Sequence, residues 1–380
     1  MVNMGSTYRY FMGLYHKSVR FHSFLVDLSR LLTQKKLHSS DSYYPEYSEK
    51  SKNNIRIFVE QLLSLFRYGA VNYSYFQYGF DIKGFRNQND YVNNEVFFYR
   101  RNYIRDCVFN SYQTSILRDK LAFYTYLSIL KFPTPTIVGV IRNGKLVKLS
   151  GNENMTLSKF VREKNFNGFV KAIDGECGRG VNKICLSESN SILINDKVAS
   201  DDEIDALYLD NEYIVQNAIK NQHPAISKIH PHAINTIRIV TVYDKKRCDY
   251  VVLPPILRMG VGESKVDNTS AGGLAVGIDV KSSSLCKFAF YKPSFGGKTD
   301  IHPTSRLKFE GYKVPFLNEA IEMAKQLHSI LNKVHSIGWD IAITSDGPVF
   351  IEGNDNWEIT SIQACHRGLQ KEFKGLFLDS

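Results

Sequence analysis

Residues 338–354 read GWDIAITSDGPVFIEGN and contain the pattern that indicates the fold most clearly. Apolar side chains dominate residues 339–344 and again residues 349–352, and Ser-Asp-Gly-Pro at 345–348 separates the two runs. Two apolar runs joined by a short turn that contains Asp and Gly are typical of a β-hairpin. The pattern therefore predicts two paired strands, and it is the clearest secondary-structure signal in the chain.

Two acidic side chains of this hairpin fall on one face. If the turn closes around Asp346 and Gly347, Asp340 and Glu352 are opposite or adjacent on the paired strands. Asn354 follows Glu352 by two residues, so an extended backbone directs it to the same face. Two carboxylates and an amide oxygen suit a Mg²⁺ ion that carries a nucleotide phosphate. Acidic residues near turns are also common on solvent-facing strands, so the hairpin alone leaves both interpretations open.

A lysine on a second short strand precedes a glycine-rich turn. Residues 169–173 read FVKAI, with Lys171 as the only charged side chain, and residues 174–181 read DGECGRGV. Glycines let backbone N–H groups approach phosphate oxygens, and a lysine just before them adds a positive charge. The segment matches neither a Walker loop nor a dinucleotide-binding fingerprint. It is a candidate phosphate site, although hairpin loops explain most turns of this kind.

Three further polar residues interrupt apolar strands. Gln216 lies in YIVQNAI at 213–219, where it is suited to hydrogen-bond an adenine, with a buried strand end as the simpler alternative. Arg238 and Arg258 lie in apolar segments that we predict to pair as a hairpin. A guanidinium in such surroundings needs an anionic partner. A phosphate or a substrate carboxylate meets this need, and so does a structural salt bridge.

The rest of the chain mixes helices and strands. Apolar residues at helical spacing predict helices over roughly 8–38, 54–70, 118–130 and 316–334, the last of them ended by Gly338. A polar, turn-rich stretch at 39–53 predicts a linker or loop, and residues 72–112 have no clean periodicity. Further strands are predicted at 137–140, 145–147, 168–173, 212–216, 237–243 and 250–257. Antiparallel pairs without a repeated strand–helix–strand unit predict the α+β class.

The composition is that of a globular protein. Of 380 residues 43% are apolar, which is enough to bury a core and excludes extensive disorder. No apolar run approaches the roughly 20 residues of a membrane-spanning helix, and no signal peptide is recognised. The six cysteines contain no CxxC pair, so we expect reduced thiols and a cytoplasmic location.

Positive charge is concentrated near the start of the chain. The net charge is 48 − 38 = +10, and residues 1–120 carry 17 basic against 10 acidic side chains and 25 of the 48 aromatic residues. Such a segment fits nucleic acid, an anionic membrane surface or an acidic sugar. It fits equally well a tyrosine-rich helical cap with a solvated basic face. No RNA- or DNA-binding motif is present, so nucleic acid is not an expected partner.

In their order along the chain, the motifs resemble those of the ATP-grasp superfamily. The ordered set is RDK, KFPTPTIVGV, FVKAIDGECGRGV, YIVQNAI, INTIRIVTV, ILRMGVG and GWDIAITSDGPVFIEGN. More narrowly, QHPAISKIHPHAINTIRIVTV with the last segment is similar to the sugar-transfer-associated ATP-grasp family, whose members tend to be encoded among surface-polysaccharide genes. The resemblance covers about residues 115–370. It implies two α+β lobes that hold ATP between them.

The resemblance also implies regions and residue roles. Residues 1–112 would be a basic, aromatic, mainly helical extension, residues 113–220 the N-terminal and nucleotide-lid lobe, and residues 221–380 the metal and catalytic lobe. The implied ATP contacts are Lys120, Lys171, Gly175, Gly178, Gly180, Gln216, Ile219 and His223. The implied Mg²⁺ ligands are Asp340, Glu352 and Asn354, and the implied catalytic groups are Arg238, Arg258 and Lys171.

Two positions depart from the family pattern. His223 stands where many members hold the ribose with an acid. Gly338 stands where several ATP-grasp ligases have an arginine, two residues before the first metal-binding Asp. The departure at Gly338 leaves open which arginine stabilises an acyl phosphate.

The implied activity is that of an ATP- and Mg²⁺-dependent carboxylate–amine ligase. The substrates would be a sugar acid and an amino acid or other amine, in surface-polysaccharide biosynthesis. The alternatives are a kinase-like phosphotransferase on the same fold and a non-catalytic nucleotide-binding protein that recruits other enzymes. Residues 1–110 are predicted to bind the acceptor or its membrane-bound carrier and not to be needed for ATP binding. This allows peripheral association with a membrane-bound carrier or with a glycosyltransferase.

Overall fold

The structure is a computed structural model that describes residues 21–109, 111–149, 154–175 and 180–378. Gly178 and the first part of the predicted helix 8–38 lie outside the described residues. The helices are α1 (21–33), α2 (Asn54–Tyr68), α3 (Asn94–Tyr103), α4 (Gln113–Arg118), α5 (Lys120–Ile129), α6 (Leu157–Lys164), α7 (Asp201–Ala206), α8 (Pro224–Ser227), α9 (Leu317–Ile330), α10 (Thr360–Cys365) and α11 (Gln370–Phe373).

The strands form two antiparallel sheets, which confirms the α+β prediction. The first sheet has the order β3-β2-β1-β8-β4-β5-β6-β7 and the second the order β13-β12-β11-β10-β9-β14-β15. The strands of the first sheet are β1 (Ile137–Arg142), β2 (Lys145–Lys148), β3 (Asn154–Thr156), β4 (Asn167–Ala172), β5 (Val181–Leu186), β6 (Ile192–Ile194), β7 (Lys197–Ala199) and β8 (Tyr213–Asn217). Those of the second sheet are β9 (Thr236–Asp244), β10 (Asp249–Met259), β11 (Leu274–Asp279), β12 (Ser284–Tyr291), β13 (Lys298–Thr299), β14 (Ser336–Thr344) and β15 (Gly347–Asn354).

The predicted carboxylate hairpin is β14 paired with β15. All nine residues of β14 are buried, which agrees with its nearly continuous apolar run. Asp340 lies opposite Glu352 in the register, and a β-bulge follows at Ile341. β14 also pairs with β9, where Asp340 lies opposite Arg238. The sheet thus brings the acidic hairpin and the first arginine strand side by side.

Two of the predicted helix boundaries are wrong. The helix predicted over 118–130 is divided, because the Asp119 side chain accepts a hydrogen bond from the Ala122 N–H and begins a new helix. The helix predicted over 316–334 ends at Ile330, and Gly338 lies inside β14 instead of ending it. A Cβ atom at position 338 would come within 2.7 Å of the Trp357 Cβ atom. Glycine is present there because a neighbouring segment packs closely.

The N-terminal region shares a core with the second sheet. Tyr75, Phe80 and Phe97 are buried in one cluster with Trp357 and Phe377. The Phe97 and Trp357 ring centroids lie 4.7 Å apart. A core that crosses the predicted boundary at 112/113 ties the stability of the two parts together. The predicted region boundaries otherwise stay predictions.

The loop predicted at 39–53 and the apolar face predicted for α2 differ from the structure. The loop at 39–53 is packed rather than free, because Tyr44 is buried and the Lys298 ammonium lies 4.0 Å from its ring centroid. On α2 the apolar spacing predicts a buried stripe of Phe58, Leu62, Leu63 and Phe66. The buried residues are instead Ile57, Gln61 and Leu65, and Leu63 and Phe66 are 62% and 68% exposed. Within the described ranges, every helix is too short or too polar to cross a membrane.

The protein is expected to lose stability on mild acidification, because His328 and His335 are buried. Burial lowers the pKa of His328 to about 3 and that of His335 to about 4. His328 contacts the Thr241 hydroxyl at 2.7 Å and the Val334 carbonyl oxygen at 2.8 Å, and His335 contacts the Leu376 carbonyl oxygen at 3.0 Å. Unfolded histidine has a pKa of about 6.5, so below that pH the unfolded state binds protons that the folded state does not.

We expect the free energy of unfolding to fall by about 2 kcal/mol for each of these histidines between pH 6.5 and pH 5. Urea unfolding at several pH values measures the slope, and His328→Gln should remove its share. A wild-type slope that His328→Gln leaves unchanged would contradict the assignment.

Candidate functional site

A cleft of about 300 Å³ lies between the two sheets and collects most of the predicted site residues. A cleft of this size that is lined by convergent charged groups is a typical ligand site. Of the predicted residues that the structure describes, Gly180 and His223 are outside its lining. The predicted residues that line it are Lys120, Lys171, Gly175, Gln216, Ile219, Arg238, Arg258, Asp340, Glu352 and Asn354.

Two arginines hold the Asp340 carboxylate. Arg238 donates from Nε to Oδ1 at 2.6 Å and from Nη2 to Oδ2 at 3.0 Å. Arg258 approaches Oδ2 with Nη2 at 2.9 Å. Burial disfavours the charged Asp340, yet the two guanidinium groups prevail and lower its pKa. The anionic partner expected for the arginines is thus a protein carboxylate in this structure, as the salt-bridge alternative proposed.

A second acid at this site was not predicted from the sequence. Asp267 lies on the loop between β10 and β11, 3.5 Å from Arg258 Nη2. Its Oδ2 atom accepts a hydrogen bond from the Thr236 N–H at 3.1 Å and another from the Thr236 hydroxyl. Burial raises the pKa of Asp267, although Arg258 opposes the rise. Its sequence context, ESKVDNTS, resembles any polar loop, so only the fold reveals its position.

Glu352 and Asn354 are the open members of the predicted metal set. Both are half-buried, and among the described residues neither side chain has a hydrogen-bond or ion-pair partner. Burial and the nearby Asp340 raise the pKa of Glu352. A carboxylate that is partly desolvated without a partner fits a cation, and both oxygens are of the kind that Mg²⁺ prefers. These two residues therefore fit the metal, whereas Asp340 would have to share its oxygens with the arginines.

Lys171 extends from β4 into the cleft. Its Nζ atom donates a hydrogen bond to Gln216 Oε1 at 2.7 Å and lies 5.9 Å from the Tyr124 ring centroid. Burial lowers the pKa of Lys171 to about 8, although the charge of Glu352 opposes the shift. Within the described residues, the one hydrogen-bond partner of this half-buried ammonium is a neutral amide, so it can accept an anion at low cost.

Lys120 lies at the start of α5 and donates a hydrogen bond to the Gly175 carbonyl oxygen. Gly175 begins the glycine-rich loop, and Gly180 ends it with a φ of 69°. The Gly180 carbonyl oxygen accepts a hydrogen bond from the Ala172 N–H at 3.1 Å, which closes the loop onto β4. The two ends of the loop are therefore anchored beside both lysines.

The predicted adenine contacts line the cleft, whereas the predicted ribose contact does not. Gln216 is 1% exposed, and its Nε2 atom has no hydrogen-bond partner within the described residues. Its Oε1 atom already accepts from Lys171, so the side chain offers a ligand chiefly a donor. Ile219 lines the cleft. His223 does not, because its Nδ1 atom accepts a hydrogen bond from the Ala225 N–H and caps α8.

Three arginines that precede β1 in the chain contact residues 355–357, the segment that directly follows β15. Arg101 is 3% exposed and donates to the Trp357 carbonyl oxygen and to the Asn356 side chain. Arg118 donates to Asp355 Oδ2 at 2.6 Å, and Arg105 lies 3.8 Å from the same atom. Burial lowers the pKa of Arg101 to about 9, so its position is held at an electrostatic cost.

The segment held in this way is a wall of the cleft. Asn356, Trp357, Glu358 and Ser361 all line it. The N-terminal region therefore contributes to the site by positioning other residues. This role could not be predicted, because residues 72–112 show no regular pattern.

The chain matches one family model and is similar to several solved structures. A family model described as "Sugar-transfer associated ATP-grasp" matches residues 99–375, which is more than half of the chain. No curated protein sequence matches the chain. Among solved structures, N5-carboxyaminoimidazole ribonucleotide synthetase in complex with ADP is 13% identical with a TM-score of 0.38, over 63% of this chain and 45% of that one.

Two further solved structures are ligases of the D-alanine class. D-alanine–D-alanine ligase from Bacillus anthracis is 16% identical with a TM-score of 0.34, over 64% of this chain and 58% of that one. D-alanyl-alanine synthetase A from Vibrio cholerae is 10% identical with a TM-score of 0.39, over 70% of this chain and 66% of that one. The chain spans about half the length of the first of these solved structures.

Proposed function

Because this chain belongs to the sugar-transfer associated ATP-grasp family, we propose that it is an ATP-dependent ligase that joins a carboxylate to an amine. One observation carries the proposal: a single cleft is lined by the predicted lysines Lys120 and Lys171, by the open Glu352–Asn354 pair and by two arginines. This is the charge distribution that a metal-bound triphosphate and a developing anion require.

The reaction we propose has two steps. A substrate carboxylate oxygen attacks the γ-phosphorus of ATP, and ADP leaves with the electron pair of the broken P–O bond. An amine then attacks the carbonyl carbon of the resulting acyl phosphate, phosphate leaves, and the amine loses a proton. No protein nucleophile takes part, so the charged groups of the cleft are sufficient.

Each charged group has a part in this proposal. Lys120 and Lys171 bind the nucleotide phosphates, with Gln216 and Ile219 contacting the base. Bound Mg²⁺ would neutralise charge on the phosphates, held by Glu352 and Asn354 with a share of Asp340. Arg238 and Arg258 neutralise charge on the transferred phosphoryl group.

Arg238 also accounts for the missing arginine at Gly338. A Cβ atom at Gly338 would lie 3.3 Å from Arg238 Nη1, so the guanidinium from β9 fills the space beside that position. We therefore assign to Arg238 the role that an arginine two residues before the first metal-binding Asp has in several ATP-grasp ligases.

The finer substrate assignment rests on the family description and on the cleft lining. We propose a sugar acid as the carboxylate and an amino acid or other amine as its partner, in surface-polysaccharide biosynthesis. Thr269, Ser270 and Ser361 add hydroxyl groups to the lining, and Asn268 and Asn356 add carboxamides. Groups of this kind hydrogen-bond polyhydroxylated ligands. A carrier at the cytoplasmic face of a membrane is the corresponding partner.

Phosphate release with combined substrates tests the proposal. We expect the full chain with Mg²⁺ and ATP to release phosphate only when a uronic acid and an amino acid are both present. Lys171→Ala should reduce this release at least a hundredfold, because it deletes a phosphate contact. The control is Lys287→Ala, which deletes a lysine outside the cleft lining.

Labelled ATP separates the alternatives. Transfer of the γ-phosphoryl label to a sugar without an amine would overturn the ligase proposal in favour of a phosphotransferase. Nucleotide binding without turnover across a full panel of uronic acids and amines would instead favour a recruitment protein.

A further inference from the structure

Both carboxylate oxygens of Asp340 are engaged by guanidinium groups, although the metal set needs one of them. We propose that Asp267 is a positioning residue that draws the Arg258 guanidinium toward Thr236, so that Asp340 can turn an oxygen to a divalent cation. The inference rests on the proposed function for the identity of the metal ligands. It concerns a residue that neither the sequence nor the family resemblance singled out.

Arg258 is shared among three acceptors. Its Nη2 atom lies 2.9 Å from Asp340 Oδ2, 3.0 Å from Thr236 Oγ1 and 3.5 Å from Asp267 Oδ2. A second nitrogen, Nε, donates to Thr236 Oγ1 at 3.3 Å. Distances this similar mean that a small rotation moves the guanidinium from one carboxylate to the other. Arg238 differs, because within the described residues its guanidinium donates hydrogen bonds to Asp340 alone.

The alternative acceptor is held in place. Thr236 and Arg258 are directly opposite on β9 and β10, so their separation is fixed by the sheet. Asp267 is tied to Thr236 through the backbone N–H and the hydroxyl. Its loop is closed by the Gly273 N–H, which donates to the Asn268 carbonyl oxygen at 3.1 Å. Thr236 and Asp267 can therefore receive the Arg258 guanidinium without any rearrangement of the loop.

The charges of the cluster favour the same reading. The carboxylates of Asp340 and Asp267 both lie within 3.5 Å of Arg258 Nη2, so Asp267 supplies one negative charge that this arginine would otherwise take from Asp340 alone. Without Asp267, Asp340 is the carboxylate that both arginines contact. A divalent cation would then compete with two guanidinium groups for one carboxylate.

The test measures metal affinity and nucleotide affinity separately in the full-length chain. Mn²⁺ serves as the metal probe by electron paramagnetic resonance in the presence of ADP, and calorimetry with EDTA measures metal-free ADP. For Asp267→Asn we expect the dissociation constant for Mn²⁺ to rise at least tenfold and that for metal-free ADP to change less than threefold. Asp279→Asn is the control, since Asp279 pairs with Ser282 at an exposed turn and lies outside the cleft.

A second variant covers the case in which Asp267→Asn does not fold. Thr236→Val keeps the side-chain shape and removes the hydroxyl acceptor of Arg258, so it should raise the dissociation constant for Mn²⁺ at least threefold. Asp267→Glu should restore most of the affinity, because it keeps the charge. The inference is overturned if the folded variants bind Mn²⁺ as the wild type does, or if metal-free ADP affinity falls in parallel. A wild-type chain that binds neither Mn²⁺ nor ADP would overturn the proposed function itself.

Discussion

Replacing Glu352 by glutamine is expected to abolish Mg²⁺-dependent turnover and to weaken divalent-cation binding more than a hundredfold. Glutamine keeps the volume of the side chain and removes the charge that the metal requires. The same change should raise the free energy of unfolding by about 1 kcal/mol, because the wild-type carboxylate is partly desolvated and burial raises its pKa. Binding and stability should therefore change in opposite directions.

Mn²⁺ titration and urea unfolding of the same preparation check both parts. Glu322→Gln is the matched control, since Glu322 is exposed on α9 and should change neither quantity. A glutamine variant that loses stability along with metal binding would mean that Glu352 is a structural anchor, and the metal assignment would then be wrong.

A chain that begins at Tyr112 is expected to be unfolded or insoluble. The N-terminal region contributes Tyr75, Tyr78 and Phe97 to the core around Trp357. Removing them exposes a large apolar surface, at about 25 cal/mol per Å² of buried apolar area. The buried Gln363 amide would also lose the Val92 N–H and carbonyl partners that it contacts at 2.9 and 3.0 Å.

A smaller change tests the same point without a deletion. Phe97→Ala should lower the free energy of unfolding by about 4 kcal/mol, because it leaves a cavity against Trp357. Val59→Ala should have almost no effect, since Val59 is 46% exposed on α2. A soluble chain from Tyr112 that unfolds cooperatively and binds ADP would contradict the shared core. It would also support the prediction that residues 1–110 are not needed for ATP binding.

The hairpin β14–β15 could be predicted because its apolar runs, turn residues and acids all agree. Its register puts Asp340 opposite Glu352, as the sequence indicates. The prediction that Gly338 ends a helix is wrong, and it arises because a glycine after a helical pattern is typical of a helix end. Its real reason, the close approach of Trp357, involves a segment that no local pattern reveals.

Contacts between residues that are far apart in the sequence could not be predicted either. The residue pattern indicates that Arg238 and Arg258 need an anion, but it does not reveal that Asp340 and Asp267 both contact Arg258. Asp267 lies on an ordinary polar loop. Residue Arg101 lies in a region without periodicity, so its contact with Trp357 was equally hidden. Long-range ion pairs depend on topology, and topology is the part of a fold that local spacing describes least.

The close packing around Trp357 has one practical consequence. The chain has two tryptophans, Trp339 and Trp357, and both are buried in the lobe of the second sheet. Trp357 borders the cleft, so its indole fluorescence reports on ligands that enter there. The lobe of the first sheet contains no tryptophan and does not contribute to the indole emission. The unlabelled protein is therefore its own optical probe of the cleft, and Trp339→Phe would leave a single emitter beside it.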